Sequence, residues 1–181
     1  MQTKIIYLTG FMTSGKSTIG PILGNVVGWS YMDLDSFIEH KSGMTINEIF
    51  EKNGEEFFRK LETQALIEIS NSKKTIVSLG GGTLASSINY DIIKRTGKFI
   101  YLKAKPETIY KRIKNKTNRP LFQDLVLSDA SEKDFLQRIV DLLNQREVFY
   151  NKADLIINTD NIDIGKTVDL IANKISKWVY E

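Results

Sequence analysis

The stretch "TGFMTSGKST" at residues 9–18 decides the fold, because it matches a loop that binds phosphate between a strand and a helix. Residues 10–17 fit the pattern G-x-x-x-x-G-K-[ST] at every fixed position. Glycines let backbone N–H groups close around phosphate oxygens, and the following helix adds its positive end. In this pattern Lys16 contacts the β- and γ-phosphates, and the Ser17 hydroxyl ligates Mg²⁺. A glycine-rich turn with a chance lysine is the alternative, but the apolar run "IIYL" before the loop favours the phosphate site.

The composition narrows the possible functions. The chain has 181 residues, of which 41% are hydrophobic and 26% are charged, as expected for a soluble globular domain. It contains no cysteine, which removes disulfides and thiol catalysis. Its one histidine, His40, disfavours histidine-based metal sites and Ser/His/Asp triads. A net charge of +3 is small and suits an anionic substrate.

Hydrophobic pattern and charge distribution set expectations about location and partners. No apolar run approaches the length of a membrane span, and the N-terminus lacks the features of a signal peptide. We therefore expect a cytoplasmic protein with no membrane partner. The basic run at residues 103–119 has few interleaved aromatics, and a solvated helix face explains most of its charge. We expect no nucleic-acid partner.

Short apolar runs alternate with helical patterns along the chain. This alternation predicts an α/β fold, in which a parallel sheet has helices on both faces. The predicted strands are residues 4–9, 30–33, 75–79, 98–103 and 154–158. The predicted helices are residues 15–27, 35–41, 45–70, 86–95, 106–114, 132–150 and 163–180. No linker divides the chain, so we expect a single domain over residues 1–181.

The segment at residues 115–131, "NKTNRPLFQDLVLSDAS", differs from the rest of the chain. It shows little hydrophobic period and contains Pro120. A loop of this length in a compact domain is usually a lid or a disordered insert. We therefore expect irregular, mobile backbone here.

Five further motifs follow the phosphate loop. They are "MDLDSFIE" (32–39), "FFRKLE" (57–62), "SLGGGT" (78–83), "NRPL" (118–121) and "LLNQREVFYNKAD" (142–154). Each is a weak signal by itself, whereas the ordered set resembles the shikimate kinase family over roughly residues 4–158.

The resemblance implies a fold and an activity. The fold is a three-layer α/β/α P-loop kinase with a five-stranded parallel sheet in the order 2-3-1-4-5. The activity is transfer of the γ-phosphoryl group of ATP, with Mg²⁺, to the 3-hydroxyl of shikimate on the route to chorismate and aromatic amino acids. We expect a monomer, with a substrate-binding region at about residues 33–62 and a mobile lid at about residues 112–127.

For the nucleotide, the resemblance carries over the phosphate loop and two arginines. Arg112 corresponds to an arginine that stacks on adenine, and Arg119 to a lid arginine that neutralises charge in the transition state. Lys16 and Arg119 are thereby catalytic, while Ser17 and Asp33 belong to the Mg²⁺ shell. The implied nucleotide-binding positions are Gly10, Ser14, Gly15, Lys16, Ser17, Thr18, Arg112 and Arg119.

Two aspartates follow the second predicted strand. Asp33 and Asp35 would share a strand face unless a turn begins at Leu34. The resemblance makes Asp35 catalytic, as the group that orients the attacking hydroxyl and can accept its proton. Capping of the helix at residues 35–41 is the alternative role for one of the two carboxylates.

For the acceptor, the resemblance assigns two arginines and a glycine turn. Arg59 and Arg146 would bind the substrate carboxylate, and Glu62 would hold Arg59 from one helical turn away. From spacing alone, the Arg59–Glu62 pair would be an exposed ion pair of small value. The implied substrate-binding positions are Asp35, Arg59, Gly80, Gly81, Gly82 and Arg146, with Phe50 and Phe58 as walls for the ring.

Two positions depart from the family pattern, and other functions remain as alternatives. Thr13 stands where the family usually has glycine, and Val148 where it often has proline. The alternatives are another small-molecule P-loop kinase, such as a gluconate or nucleoside monophosphate kinase, and a nucleotide-binding module without catalysis. The combination of "DLD", "FFRKLE" and "GGG" disfavours the first, and the filled catalytic positions disfavour the second.

Overall fold

A parallel β-sheet forms the centre of the computed structural model, which describes residues 5–116 and 120–180. Within these ranges the five strands are β1 (Ile5–Thr9), β2 (Ser30–Asp33), β3 (Thr75–Ser78), β4 (Gly97–Lys103) and β5 (Leu155–Asn158). They lie in the order β2-β3-β1-β4-β5, and all neighbouring pairs are parallel. The predicted fold class and strand order are confirmed, and each strand lies within one residue of its predicted bounds.

Helices pack against both faces of this sheet. Those in the described ranges are α1 (Lys16–Val27), α2 (Leu34–Ser42), α3 (Ile46–Ile69), α4 (Ser87–Thr96), α5 (Pro106–Ile113), α6 (Pro120–Leu127), α7 (Glu132–Tyr150) and α8 (Ile164–Tyr180). A short 3₁₀ turn spans Thr83–Ala85. Over the described residues, no helix combines the length and the apolar character that a membrane crossing requires.

The side chains of β1 alternate between two core layers, as the period of a strand requires. Ile5 and Tyr7 pack in a cluster with side chains of α2, α3, α4 and α7. Ile6 and Leu8 pack in a second cluster with α1 and α8. All four are fully buried, as expected for a parallel strand that is covered on both faces. The phosphate loop follows this central strand directly.

The segment that was predicted to be irregular contains helix α6. In the described residues α6 starts with Pro120, and a proline is compatible with the first helical position because no N–H is needed there. Phe122 is fully buried, and the centroid of its ring lies 6.4 Å from the ring centroid of Phe11 and 6.2 Å from that of Phe135. The prediction of irregular backbone is therefore wrong for residues 120–127. Residues 117–119, and with them Arg119, lie outside the described residues.

Helix α3 matches the predicted range 45–70 but is not continuous. Gly54 has φ 81° and ψ 174°, a conformation that glycine adopts readily and that interrupts the helix. The interruption lies between Phe50 and Phe58, whose rings nevertheless pack with centroids 4.8 Å apart. The single predicted helix thus consists of two helical segments.

Strands β1 and β4 approach so closely at Gly97 that a side chain there has no space. A Cβ atom at Gly97 would lie 2.0 Å from the carbonyl oxygen of Ile5. We expect Gly97→Ala to lower the free energy of unfolding by about 3 kcal/mol, since central strands must move apart. Urea denaturation measures this change.

Gly165→Ala is the matched control for that experiment. Gly165 is exposed at the start of α8, and its Cβ would lie 3.3 Å from a carboxylate oxygen of Asp163, a flexible group. This variant should change the free energy of unfolding by less than about 0.5 kcal/mol. Equal stability of the two variants would contradict the close approach at Gly97.

Candidate active site

A cleft of about 1000 Å³ opens where the phosphate loop, the start of α2 and the turn after β3 meet. It gathers most of the predicted site residues from separate elements. Those that line it are Ser14, Gly15, Lys16, Ser17, Thr18, Asp33, Asp35, Arg59, Gly80, Gly81, Gly82, Arg112 and Arg146. Gly10 is not among the lining residues, and Arg119 lies outside the described part of the chain.

The phosphate loop depends on glycines with positive φ. Gly10 has φ 144°, and a Cβ atom there would lie 2.6 Å from the carbonyl oxygen of Leu102. Gly15 has φ 109° and caps the start of α1. The Lys16 ammonium donates to the carbonyl oxygens of Gly10, at 2.8 Å, and Phe11, at 3.1 Å. These contacts hold the ammonium group across the loop.

Two hydroxyl groups of the loop are suited to bind a polar ligand. Ser14 Oγ and Thr13 Oγ1 are buried and have no hydrogen-bond partner among the described residues. Buried hydroxyl groups in proteins are nearly always paired. Because both residues line the cleft, their hydroxyl groups can donate to the oxygens of a bound phosphate.

Thr13, which replaces a glycine of the family pattern, adopts a strained backbone conformation. Its φ of 63° lies in the left-handed region, which is unfavourable for a β-branched residue. The Thr13 carbonyl oxygen accepts from Arg112 Nη1 at 2.8 Å, and Arg112 Nη2 donates to the Thr159 carbonyl oxygen at 3.3 Å. Arg112 therefore connects the phosphate loop to the segment that follows β5.

The two aspartates occupy different elements, because α2 begins at Leu34. Asp33 ends β2 and caps α2, with its Oδ1 accepting from the Ser36 N–H at 3.1 Å. Asp35 lies in the first turn of α2. The capping role thus belongs to Asp33, and both carboxylates line the cleft.

The environment of Asp35 favours its protonated form. The pKa of this carboxyl group is raised from 3.8 to about 6, chiefly by burial and also by the nearby charges of Asp33 and Glu62. Lys16 acts in the opposite direction, because its positive charge lowers the pKa of Asp35. A buried carboxyl group with a raised pKa in a cleft is typical of catalytic sites.

Arg59 lies in the second segment of α3 between two carboxylates. Its Nη1 donates to Glu62 Oε2 at 3.0 Å, while Nη2 donates to Glu55 Oε1 at 3.0 Å. Glu62 is only 1% exposed, so this is not the exposed ion pair that spacing alone indicated. The Arg59 guanidinium also lies 5.2 Å from the ring centroid of Phe58. Phe50 and Phe58 both line the cleft, as the resemblance implied.

The turn after β3 consists of Gly80, Gly81 and Gly82, and neighbouring side chains leave little space for a Cβ atom at these positions. None of Gly80, Gly81 and Gly82 has a positive φ, so backbone conformation alone does not require glycine there. A Cβ atom at Gly81 would lie 2.9 Å from Arg146 Nη1, and one at Gly82 would lie 3.0 Å from Arg59 Nη2. Both guanidinium groups therefore lie close to the turn.

Arg146 and Tyr150 approach the same turn from α7. The Arg146 guanidinium lies 5.5 Å from the ring centroid of Phe11, and the Tyr150 hydroxyl donates to the carbonyl oxygen of Gly81. Burial raises the pKa of Tyr150 to about 12, so its hydroxyl stays protonated as a donor. Sequence reasoning missed Tyr150, although its place in the motif "QREVFY" one helical turn after Arg146 was a usable signal.

The chain is similar to known shikimate kinases along almost its whole length. A sequence profile described as shikimate kinase matches residues 12–178. The shikimate kinase of Chlorobaculum parvum is 45% identical over 176 residues, which cover 97% of this chain and 94% of that protein. The shikimate kinase of Chlorobium phaeobacteroides is 43% identical over 176 residues, which cover 97% of this chain and 93% of that protein.

Solved structures agree with this similarity. The structure of shikimate kinase from Acinetobacter baumannii in complex with shikimate has a TM-score of 0.86 and 33% identity, covering 99% of this chain and 96% of that one. The structure from Bacteroides thetaiotaomicron has a TM-score of 0.86 and 29% identity, covering 96% of this chain and 98% of that one.

The raised pKa of Asp35 predicts how pH affects the stability of the unliganded protein. Above pH 6 the buried carboxylate is charged and destabilises the fold, and this cost falls as the pH drops from 6 towards the unfolded-state pKa of 3.8, below which the group is mostly neutral in both states. Asp35→Asn should therefore raise the free energy of unfolding by roughly 2 kcal/mol at pH 7.5, and most of this gain should be lost near pH 4. Urea denaturation at both pH values measures it.

The control for Asp35→Asn is Asp134→Asn. Hydrogen bonds from Ser131 hold the pKa of Asp134 below its usual range, so its charge stabilises the fold. Asp134→Asn should lower stability at pH 7.5, which is the opposite sign. A loss of stability in both variants would show that Asp35 is not destabilising.

Proposed function

Because the chain belongs to the shikimate kinase family, we propose that its cleft binds ATP on the phosphate loop and shikimate against the glycine turn. The enzyme transfers the γ-phosphoryl group of ATP to the 3-hydroxyl of shikimate, and it produces shikimate 3-phosphate and ADP on the route to chorismate and aromatic amino acids. The approach of Arg59, Arg146 and Asp35 to one glycine turn beside the phosphate loop supports this arrangement.

The acceptor side of the cleft suits a small hydroxy acid. The guanidinium groups of Arg59 and Arg146, both close to the turn, bind the carboxylate of shikimate. The absence of side chains at Gly80–Gly82 lets the ligand approach the backbone N–H groups. Phe58, which is 5% exposed, supplies an apolar wall for the ring. These contacts orient the acceptor before transfer.

The nucleotide side is formed by the phosphate loop and its neighbours. Lys16 contacts the β- and γ-phosphates, and the backbone from Ser14 to Thr18 surrounds them. The Ser14 hydroxyl, buried and without a partner among the described residues, donates to a phosphate oxygen. Arg112 lies against the base, while its hydrogen bond to the Thr13 carbonyl keeps the loop in place.

Ser17 and Asp33 are the residues that would hold Mg²⁺. Their hydroxyl and carboxylate oxygens fit the ligand preference of this ion, which also keeps several water molecules and binds phosphate oxygens. When bound, Mg²⁺ supplies positive charge that offsets the charge of the phosphates. Asp33 Oδ1 accepts from the Ser36 N–H, which fixes the carboxylate at the edge of the cleft.

Asp35 acts on the hydroxyl of the acceptor. With a pKa of about 6 it is mostly ionised at neutral pH, so it can accept a hydrogen bond from the 3-hydroxyl and aim the oxygen at the γ-phosphorus. In a loose transition state the hydroxyl keeps its proton until late, and Asp35 then takes it as the new bond forms. Lys16 spreads the charge of the transferring group.

Further parts of this proposal concern the whole chain. We infer a single kinase domain over residues 1–181, with the substrate-binding region at about 33–62 and a lid at about 112–127. Arg119, which lies outside the described residues, is proposed as the lid arginine that neutralises charge during transfer. We also propose a monomeric, cytoplasmic enzyme that needs neither a membrane nor nucleic acid.

A coupled ADP-release assay tests the proposed acceptor against the alternatives. The assay compares shikimate, gluconate and nucleoside monophosphates at saturating ATP, and shikimate should give the highest kcat/KM. A higher kcat/KM with another acceptor than with shikimate would indicate a different small-molecule kinase. Binding of ATP with no turnover of any acceptor would indicate a regulatory module.

Arg59→Ala tests the carboxylate contact. Loss of the guanidinium should raise the KM for shikimate by roughly 100-fold, because a charged hydrogen-bonding partner of the substrate is removed. The KM for ATP should change by less than about twofold. Arg95→Ala, which removes an exposed arginine of α4, is the matched control and should leave both constants unchanged. An equal rise of both KM values in Arg59→Ala would contradict the assignment.

Asp33→Asn tests the proposed Mg²⁺ shell. Asparagine caps a helix as well as aspartate does, so α2 should stay intact while the negative charge is lost. The Mg²⁺ concentration for half-maximal rate should rise by about 10-fold. Asp134→Asn is the control, since it removes an exposed carboxylate near the start of α7. Unchanged Mg²⁺ dependence in Asp33→Asn would remove Asp33 from the shell.

A further inference from the structure

A buried hydrogen-bond network lies behind the glycine turn. At its centre is the carboxylate of Glu62, which is 1% exposed. Glu62 Oε1 accepts from Thr83 Oγ1 at 2.7 Å. Glu62 Oε2 accepts from Arg59 Nη1 at 3.0 Å and from Asn89 Nδ2 at 3.4 Å. Each carboxylate oxygen therefore has a donor, which a buried charge requires.

Asn89 is held in one orientation by its other contacts. Its Oδ1 accepts from Thr63 Oγ1 at 2.8 Å, and its Nδ2 also donates to the Thr83 carbonyl oxygen at 3.2 Å. Asn89 and Thr83 are both fully buried. This arrangement directs the amide NH₂ group of Asn89 towards Glu62, so the plane of the Glu62 carboxylate is set by two fixed donors.

The two carboxylates beside Arg59 constrain it to different degrees. The Glu55 side chain is 66% exposed, and an ion pair of this kind fixes position weakly. The Glu62 side chain is 1% exposed and cannot change its rotamer without losing Thr83 and Asn89. Glu62 is therefore the partner that determines where the Arg59 guanidinium lies.

We propose that Thr83 and Asn89 are positioning residues for the acceptor, which hold Glu62 and thereby hold the Arg59 guanidinium beside the glycine turn. The identity of the acceptor rests on the proposed function. The surroundings of Gly80 show that the Glu62 network lies next to the cleft. A Cβ atom there would lie 3.1 Å from Thr83 Oγ1, 3.2 Å from Asp35 Oδ1 and 3.4 Å from Glu62 Oε1. A displaced Glu62 carboxylate would thus disturb the turn and Asp35 together.

Thr83→Val removes the hydroxyl donor with little change of shape and leaves Glu62 Oε1 without that bond. We expect the KM for shikimate to rise by about 10-fold, which corresponds to the loss of one hydrogen bond to a charged group. The effect reaches the substrate indirectly, because Thr83 acts on Arg59 through Glu62. The KM for ATP should change by less than about twofold. Thr83→Ser restores the donor and should bring the KM for shikimate within about threefold of the wild type. Steady-state kinetics with each substrate varied in turn measures these values.

A double-mutant cycle separates positioning from a general loss of structure. If Thr83 acts through Arg59, Thr83→Val should add less than about twofold to the KM for shikimate once Arg59 is already alanine. A merely structural role would give the full increase in both backgrounds. Asn89→Leu, which removes the second donor, should follow the same pattern as Thr83→Val.

Thr96→Val is the matched control. Thr96 Oγ1 bonds to the Tyr7 hydroxyl at 2.7 Å and to the Ile92 carbonyl oxygen at 2.7 Å, just before β4 and outside the cleft. The Thr96→Val variant should lower the midpoint of unfolding without changing the KM for shikimate. A folded Thr83→Val with an unchanged KM for shikimate would overturn the proposal. So would unfolding of both Thr83→Val and Asn89→Leu, since the network would then serve stability alone. Absence of shikimate turnover in the wild type would instead refute the proposed function.

Discussion

Parallel pairing of β1 with β3, and of β3 with β2, is the constraint on which the site depends. The register places Leu8 opposite Ser78, and Ser78 opposite Asp33. The Leu79 N–H donates to the Leu8 carbonyl oxygen at 2.9 Å, which continues the pairing to the edge of the sheet. Three chain segments therefore leave the sheet at the same level. The phosphate loop, the glycine turn and the start of α2 become neighbours through this register.

Several carboxylates lie close together at that edge of the sheet, and the repulsion between their charges lowers the stability of the fold. Asp35 is buried near Asp33 and Glu62, which raises its pKa, and the charge of Lys16 acts against this effect. The buried carboxylate of Glu62, in contrast, has three hydrogen-bond donors around it. The two neighbouring carboxylates therefore lie in different environments, since Asp35 is buried beside like charges and Glu62 is buried among donors.

Predictions from the sequence agree with the structure where one physical signal dominates. The strand bounds agree because buried parallel strands are continuous apolar runs, and the helix bounds agree because the helical period is strong. They fail where a residue has two possible roles. The predicted irregular segment contains α6, which begins at Pro120, and the predicted helix 45–70 is divided at Gly54 by its positive φ. Burial of Phe122 against Phe11 and Phe135 is a contact between distant segments that packs α6 against the rest of the molecule.

The sequence by itself determined the α/β fold and the phosphate loop, because local periodicity and a short motif carry them, while the family resemblance singled out Asp35, Arg59 and Arg146 as proposed site residues. Only the tertiary structure decided how those residues work together. The raised pKa of Asp35 depends on burial, the contact of two arginines with Gly81 and Gly82 depends on helix packing, and the Glu62 network joins Thr83 and Asn89 to α3 across the chain. No sequence spacing predicts these three features, because contacts between distant segments exist only once the sheet has brought those segments together.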